Sequence, residues 1–198
     1  AREYNLLVVE DDPYGELWYT AAPPPSLLSR MPERVIQMGS FSKILAPGLR
    51  LGYIVAPVEI ARKFEQVKQA TDLHTATLTQ RAVYEVVKDG FLDEHIPNIR
   101  KLYHAQAQAM LGALAQYMPK SVTWNQPAGG MFLWLQLPAG VDSEEILEKA
   151  LARNVAYVPG VPFYANEPAR NTMRLAFVTV PEDKIREGVK VLGEVFGG

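Results

Sequence analysis

Ser40-Phe41-Ser42-Lys43 is followed seven residues later by Arg50 and preceded by Asp11-Asp12-Pro13-Tyr14. One short stretch thus supplies an amine, two hydroxyls, a guanidinium, two carboxylates and a phenol. A lysine amine forms a Schiff base with an aldehyde, serine hydroxyls and a forked guanidinium bind a phosphate dianion, and a carboxylate keeps a heteroaromatic nitrogen protonated. A ligand that uses all of them is a phosphorylated, aldehyde-bearing aromatic ring. Each residue also has an ordinary reading. Most lysines are solvated surface residues, Ser40 and Ser42 suit a turn, and Glu10-Asp11-Asp12 suits a polar loop with helix-capping acids. The residues alone do not separate Asp11 from Asp12. Lys43 stands out because it lies in an apolar turn directly after a buried-strand pattern.

A second cation is out of place in its surroundings. Arg174 interrupts the apolar strand pattern Thr172-Met173-Arg174-Leu175-Ala176-Phe177. Burying a lone guanidinium is expensive, so an anion is expected beside it, either a structural carboxylate or a bound one. The aromatics of Gly129-Gly130-Met131-Phe132-Leu133-Trp134 read as core. His74 reads as a structural histidine beside a helix start, with a subunit interface as its alternative.

The elements that must position these residues alternate strand and helix. Leu6 to Glu10, Val35 to Met38 and Leu51 to Val55 read as buried strands of a mostly parallel sheet, whose ligands bind at the carboxyl ends. Ala21 to Ser26, with its three prolines, reads as a surface loop. Helical spacing follows from Val58 to about Ala70 and from Leu78 to Lys88, and both helices are expected to cover the sheet. A long helix is expected from Ile99 to Tyr117, with a hinge before Pro119. Beyond it, strands at Val122 to Trp124, Met131 to Leu137, Val155 to Val158 and Thr172 to Phe177 alternate with helices at Ser143 to Arg153 and Pro181 to Phe196. The predicted division is residues 1–95 as part of a large α/β domain and 96–198 as a small α/β domain with the connecting long helix.

Composition narrows the function classes. The 198 residues are 48% hydrophobic and 21% charged, with a formal net charge of -2, so no basic surplus points to nucleic acid or an anionic membrane. Without cysteine, a disulfide framework and any thiolate metal site are excluded, and His74, His95 and His104 lack ligand spacing. No metal is expected. No apolar run reaches bilayer-spanning length, and the expected location is the cytoplasm.

Asp11 to Tyr14, Ser40 to Arg50 and the Arg174 strand, in this order, resemble the class I/II aminotransferases, fold-type I pyridoxal phosphate enzymes. The resemblance is nearest to the 2-aminoadipate, kynurenine and aromatic aminotransferase subgroup. It implies pyridoxal 5'-phosphate as cofactor, Lys43 as the Schiff-base lysine and proton shuttle, and Asp11, rather than Asp12, as partner of the ring nitrogen. Tyr14 would meet the cofactor O3′, Ser40, Ser42 and Arg50 the phosphate, and Arg174 the substrate carboxylate. The residues from Pro159 to Tyr164 match a loop near the substrate mouth, where Phe163 or Tyr164 would line the side-chain pocket. The implied reaction is a ping-pong transfer of an amino group, through the Lys43 aldimine, from an L-amino acid to 2-oxoglutarate in amino-acid metabolism such as lysine biosynthesis. The implied assembly is a homodimer. A lyase on the same scaffold and an aminotransferase-like sensor domain of a transcription regulator are the alternatives. The family places the opening segment Asn5 to Glu10 near mid-polypeptide. The chain is therefore expected to be the C-terminal half of a longer protein and to be inactive alone.

Overall fold

The computed structural model describes residues 1–197. They form two compact units that divide between Ile99 and Arg100.

In the first unit, Val8–Asp11 (β1) and Val35–Ser40 (β2) run parallel, paired from Val8 with Val35 to Asp11 with Met38. Gly52–Val55 (β3) pairs antiparallel with β2, Ser40 opposite Gly52, to give the order β1-β2-β3. The proline loop is exposed as expected and ends in a one-turn helix, Leu27–Arg30 (α1). The Glu10 carboxylate accepts hydrogen bonds from the N–H groups of Leu27 and Leu28 at 2.8 and 3.2 Å, which ties that turn back to β1.

Val58–Thr71 (α2) and Thr77–Val87 (α3) follow. The first starts after Pro57, with Glu59 in its first turn and Lys68 in its last, charges that complement the helix dipole. Neither covers the sheet in the way the spacing suggests. α2 buries no residue and α3 only Val83, while Val9, Tyr53, Ile54 and Val55 remain exposed. β1 and β3 are therefore open, because no apolar layer from the described residues closes over them, whereas Val35 and Ile36 of β2 are buried as expected. The stripe of α2 itself, including Phe64 and Val67, faces solvent.

Phe91–Tyr117 (α4) starts well before the expected Ile99 and carries Pro97 inside it. Gly90, at φ +81°, provides the entry, and Asp93 and Glu94 favour the first turn. Pro97 removes one main-chain donor but does not end the helix.

The second unit contains an antiparallel sheet made of Thr123–Trp124 (β4), Phe132–Gln136 (β5), Val158–Pro159 (β6) and Thr172–Ala176 (β7), in the order β4-β5-β7-β6. Its β6 begins later than expected, because Val155 N–H still bonds to Ala150 C=O at the preceding helix end and Asn154 is left-handed. One sheet face supplies Leu133, Leu135, Met173 and Leu175 to the core, and Phe177 just beyond β7 joins them. Met110 and Leu114 of α4 and Ile185, Val189 and Leu192 of Glu182–Gly197 (α6) complete it. Each such side chain contributes about 1.5–3 kcal/mol by leaving water. Ser143–Leu151 (α5) is capped by the Asp142 carboxylate, which accepts from Glu144 N–H at 2.8 Å and pairs with Arg170. Gly193 is required where α6 meets the end of α4. A Cβ there would lie 2.3 Å from the Tyr117 carbonyl oxygen.

Candidate active site

Parallel pairing carries the ends of β1 and β2 to one edge of the first sheet. Asp11 is the last residue of β1, Ser40 the last of β2, and β3 enters opposite Ser40 at Gly52. The turns holding Tyr14, Lys43 and Arg50 therefore leave from or return to this same edge, where ligands of parallel sheets bind.

After Ser40 the chain makes a single helical turn, with Leu45 N–H bonded to Phe41 C=O at 2.9 Å. Phe41 packs edge-on against Tyr53 with ring centroids 5.8 Å apart, and Ile44 is buried. Lys43, between these anchors, is half-buried, and its Nζ lies 5.9 Å from the centre of the Tyr14 ring. Ser40 Oγ accepts from Ser42 N–H at 3.0 Å, so the turn-forming serine is Ser40, which still has its own proton to donate.

Pro47–Leu49 forms a 3-10 turn, and the left-handed residue that reverses the chain is Arg50, at φ 51°, rather than Gly48. Its guanidinium is exposed and donates through Nη1 to Pro47 C=O at 3.1 Å. That bond uses one of the five N–H donors of the fork.

Asp12 does not cap a helix, since the residues after it form turns. Its carboxylate folds over Gly15, where a Cβ would come 2.0 Å from Asp12 Oδ2. Asp11 stays at the strand end. Burial pushes the Tyr19 phenol up to about 12.

Arg174 belongs to the second unit. It lies on the central strand β7, opposite Trp134 of β5 and Val158 of β6. Alternation places Met173 and Leu175 in the core and Arg174 on the other face. Phe132 and Trp134 are half-buried on that face too, not in the core as their apolar pattern suggests. The Arg174 guanidinium carbon lies over the Phe132 ring at 4.1 Å and over the Phe163 ring at 4.8 Å. Among the described residues no carboxylate forms an ion pair with it, which removes support from the structural salt bridge. The signal that could have found Phe132 is period-two spacing from Trp134. Phe163, on a separate loop, has no such spacing, and only the resemblance singled it out, together with Tyr164.

His74 is exposed and bonds locally to Thr75 C=O at 2.9 Å. A cleft of about 550 Å³ in the second unit, lined by Met110, Asn154, Leu175, Lys184 and Val189 among others, contains none of the candidate residues. Its lysine is tied to Glu187 at 2.7 Å. No group of metal-binding side chains and no helix long and apolar enough to cross a membrane occurs among the described residues.

Residues 1–192 match the family model of aminotransferase class I and II. The chain belongs to that family. An aromatic-amino-acid aminotransferase of Thermococcus litoralis is 50% identical over 195 residues, 98% of this chain and 47% of the relative. The crystal structure of an α-aminoadipate aminotransferase from Thermus thermophilus, complexed with N-(5'-phosphopyridoxyl)-L-leucine, aligns at TM-score 0.95 and 46% identity over 100% of this chain and 51% of that one. That of a Pyrococcus horikoshii kynurenine aminotransferase, in complex with PMP, aligns at TM-score 0.95 and 50% identity over 100% and 49%. The chain spans about half the length of the curated relatives it matches. The expected subgroup and the expected α/β fold of a fold-type I transferase are both borne out.

Proposed function

We propose that this chain carries the cofactor-binding and substrate-gripping residues of a pyridoxal phosphate-dependent aminotransferase. The observation that carries the reading is the convergence of Asp11, Tyr14, Ser40, Ser42, Lys43 and Arg50 on one edge of a sheet. This donor set fits the cofactor, with an amine for its aldehyde, hydroxyls and a guanidinium for its phosphate, and a carboxylate and a phenol for its ring.

Pyridoxal phosphate, when bound, supplies a sink for the electron pair left when the substrate Cα loses its proton. Lys43 Nζ takes that proton and hands it back, as a general base with a free amine. The Asp11 carboxylate accepts the hydrogen bond of the protonated ring nitrogen and holds that proton in place. Tyr14 donates to the ring oxygen. Ser40, Ser42 and Arg50 orient the phosphate, and Arg174 binds the substrate carboxylate through two parallel N–H bonds.

The substrates proposed are a 2-aminoadipate or an aromatic or kynurenine-type amino acid and, as acceptor, 2-oxoglutarate, supported by the names of the relatives above. A cytoplasmic homodimer, its interface completed by a second copy, is carried over from the resemblance. The sensor and lyase alternatives have less support, because these relatives are named as aminotransferases. The deciding experiment mixes the complete, cofactor-loaded protein with the amino acid and follows the cofactor spectrum. Conversion to pyridoxamine phosphate, reversed by 2-oxoglutarate, is the expected result. Release of ammonia without that conversion would make the protein a lyase, and no change with any amino acid would favour the sensor.

A further inference from the structure

An arginine that waits for a ligand must be held in place without its donors being used. The guanidinium plane has weakly hydrated faces and carries its N–H groups around its edge, so aromatic rings over the faces can fix it and leave the edge available. Arg174 has this environment, with Phe132 at 4.1 Å and Phe163 at 4.8 Å. The two rings come from different places. Phe132 is carried by the rigid strand β5, while Phe163 comes from the 3-10 turn Val161–Phe163.

The turn is itself anchored. Gly160 N–H bonds to Thr172 C=O at 2.7 Å, extending the β6–β7 ladder, and a Cβ on Gly160 would come 1.9 Å from Thr172 Oγ1. The Phe163 ring also meets Trp134 edge-on, with centroids 5.4 Å apart and an interplanar angle of 85°. Yet Phe163 is 48% exposed, so core packing does not explain its position.

We propose that Phe163 is a positioning residue for Arg174: its ring holds the guanidinium in the orientation that receives a substrate carboxylate. The inference rests on the reading of Arg174 as the carboxylate site. It adds a role for the loop, which acts on the carboxylate through the arginine.

The test compares Phe163→Leu, Phe163→Tyr and Arg174→Lys in the complete holoenzyme, with KM and kcat for amino acid and 2-oxo acid. Calorimetric titration with hexanoate, a carboxylate with no amine to react, gives a readout independent of turnover. Phe163→Leu is expected to raise KM and the hexanoate dissociation constant together by roughly three- to tenfold, with kcat nearly unchanged. Phe163→Tyr, which keeps the ring, should restore both. Equal weakening by Leu and Tyr, or a loss confined to kcat, would overturn the positioning role. If Arg174→Lys weakens hexanoate and Phe163→Leu does not, the positioning role falls and the carboxylate site stands. If Arg174→Lys leaves hexanoate unaffected, the carboxylate site itself falls, and the positioning role with it. Should Phe163→Leu fail to fold, Phe163→Met, which also removes the ring, takes its place with the same outcomes.

Discussion

The two sheets solve opposite problems. The first gathers the reactive side chains at one edge and leaves Val9, Tyr53, Ile54 and Val55 facing solvent. The second closes one face into a core with α4 and α6 and keeps one cation on the other face, under aromatic rings. The proposed cofactor-binding residues and the larger core thus lie in different units. Substitutions in the first should change chemistry with little effect on folding, and those in the second core should do the reverse.

The strongest challenge to that division is Asp11→Asn. A neutral amide cannot favour a protonated ring nitrogen, so the proton-transfer step in the complete enzyme should slow by orders of magnitude while cofactor binding largely persists. Stopped-flow rates equal to wild type would remove Asp11 from its role, and Asp12→Asn is the control that should do little. Next in size is a matched truncation. Phe177→Ala should cost about 3–5 kcal/mol of stability in denaturant unfolding. Tyr53→Ala, on the open face, should cost only its edge-on contact with Phe41, about 0.5–1.5 kcal/mol. A large loss at Tyr53 would mean that the face is covered in the protein under test.

Arg174→Lys comes third. Carboxylate substrates should weaken by about 1.5–3 kcal/mol per lost charge-assisted bond, whereas amines without a carboxylate should bind as before. Equal weakening of both kinds would make Arg174 structural. The smallest effect tests packing alone. The buried Tyr157 hydroxyl donates to Ser143 C=O at 2.6 Å, and burial first, then the charge of Asp142, pushes its phenol up to about 12. The folded state prefers the neutral phenol, so its contribution is complete below the ordinary tyrosine value near 10 and is lost as pH rises from there through 12. Tyr157→Phe should cost about 0.5–1.5 kcal/mol at neutral pH. It should also flatten the alkaline fall in melting temperature, and an unchanged fall would place the alkaline sensitivity elsewhere.

Local pattern carried much of this fold. The helices α2, α3, α5 and α6 follow apolar spacing and are each flanked on at least one side by Gly, Asp or Pro, so their boundaries were legible to within a few residues. The start of α4 was not, because Pro97 reads as a stop when the helix tolerates it. Burial of β1 and β3 was misread for a different reason. An apolar run records what a strand is suited to contact, not whether the contact is present. At the site, residue types pointed to the chemistry of Lys43, Ser40 and Arg50, whereas Asp11 over Asp12 needed the family resemblance. The aromatic setting of Arg174 depends on the register of β5 against β7 and on Phe163 from a turn outside both strands, which single-residue patterns do not encode.

Arg50 adopts the left-handed conformation that costs a side-chain-bearing residue roughly 1–2 kcal/mol and that glycine adopts freely. A sequence optimised for melting temperature alone would therefore replace this arginine with glycine. Stability-guided redesign of the chain would then improve the fold while discarding a guanidinium proposed to hold the cofactor phosphate, so position 50 should be held fixed in any consensus or thermostabilising library.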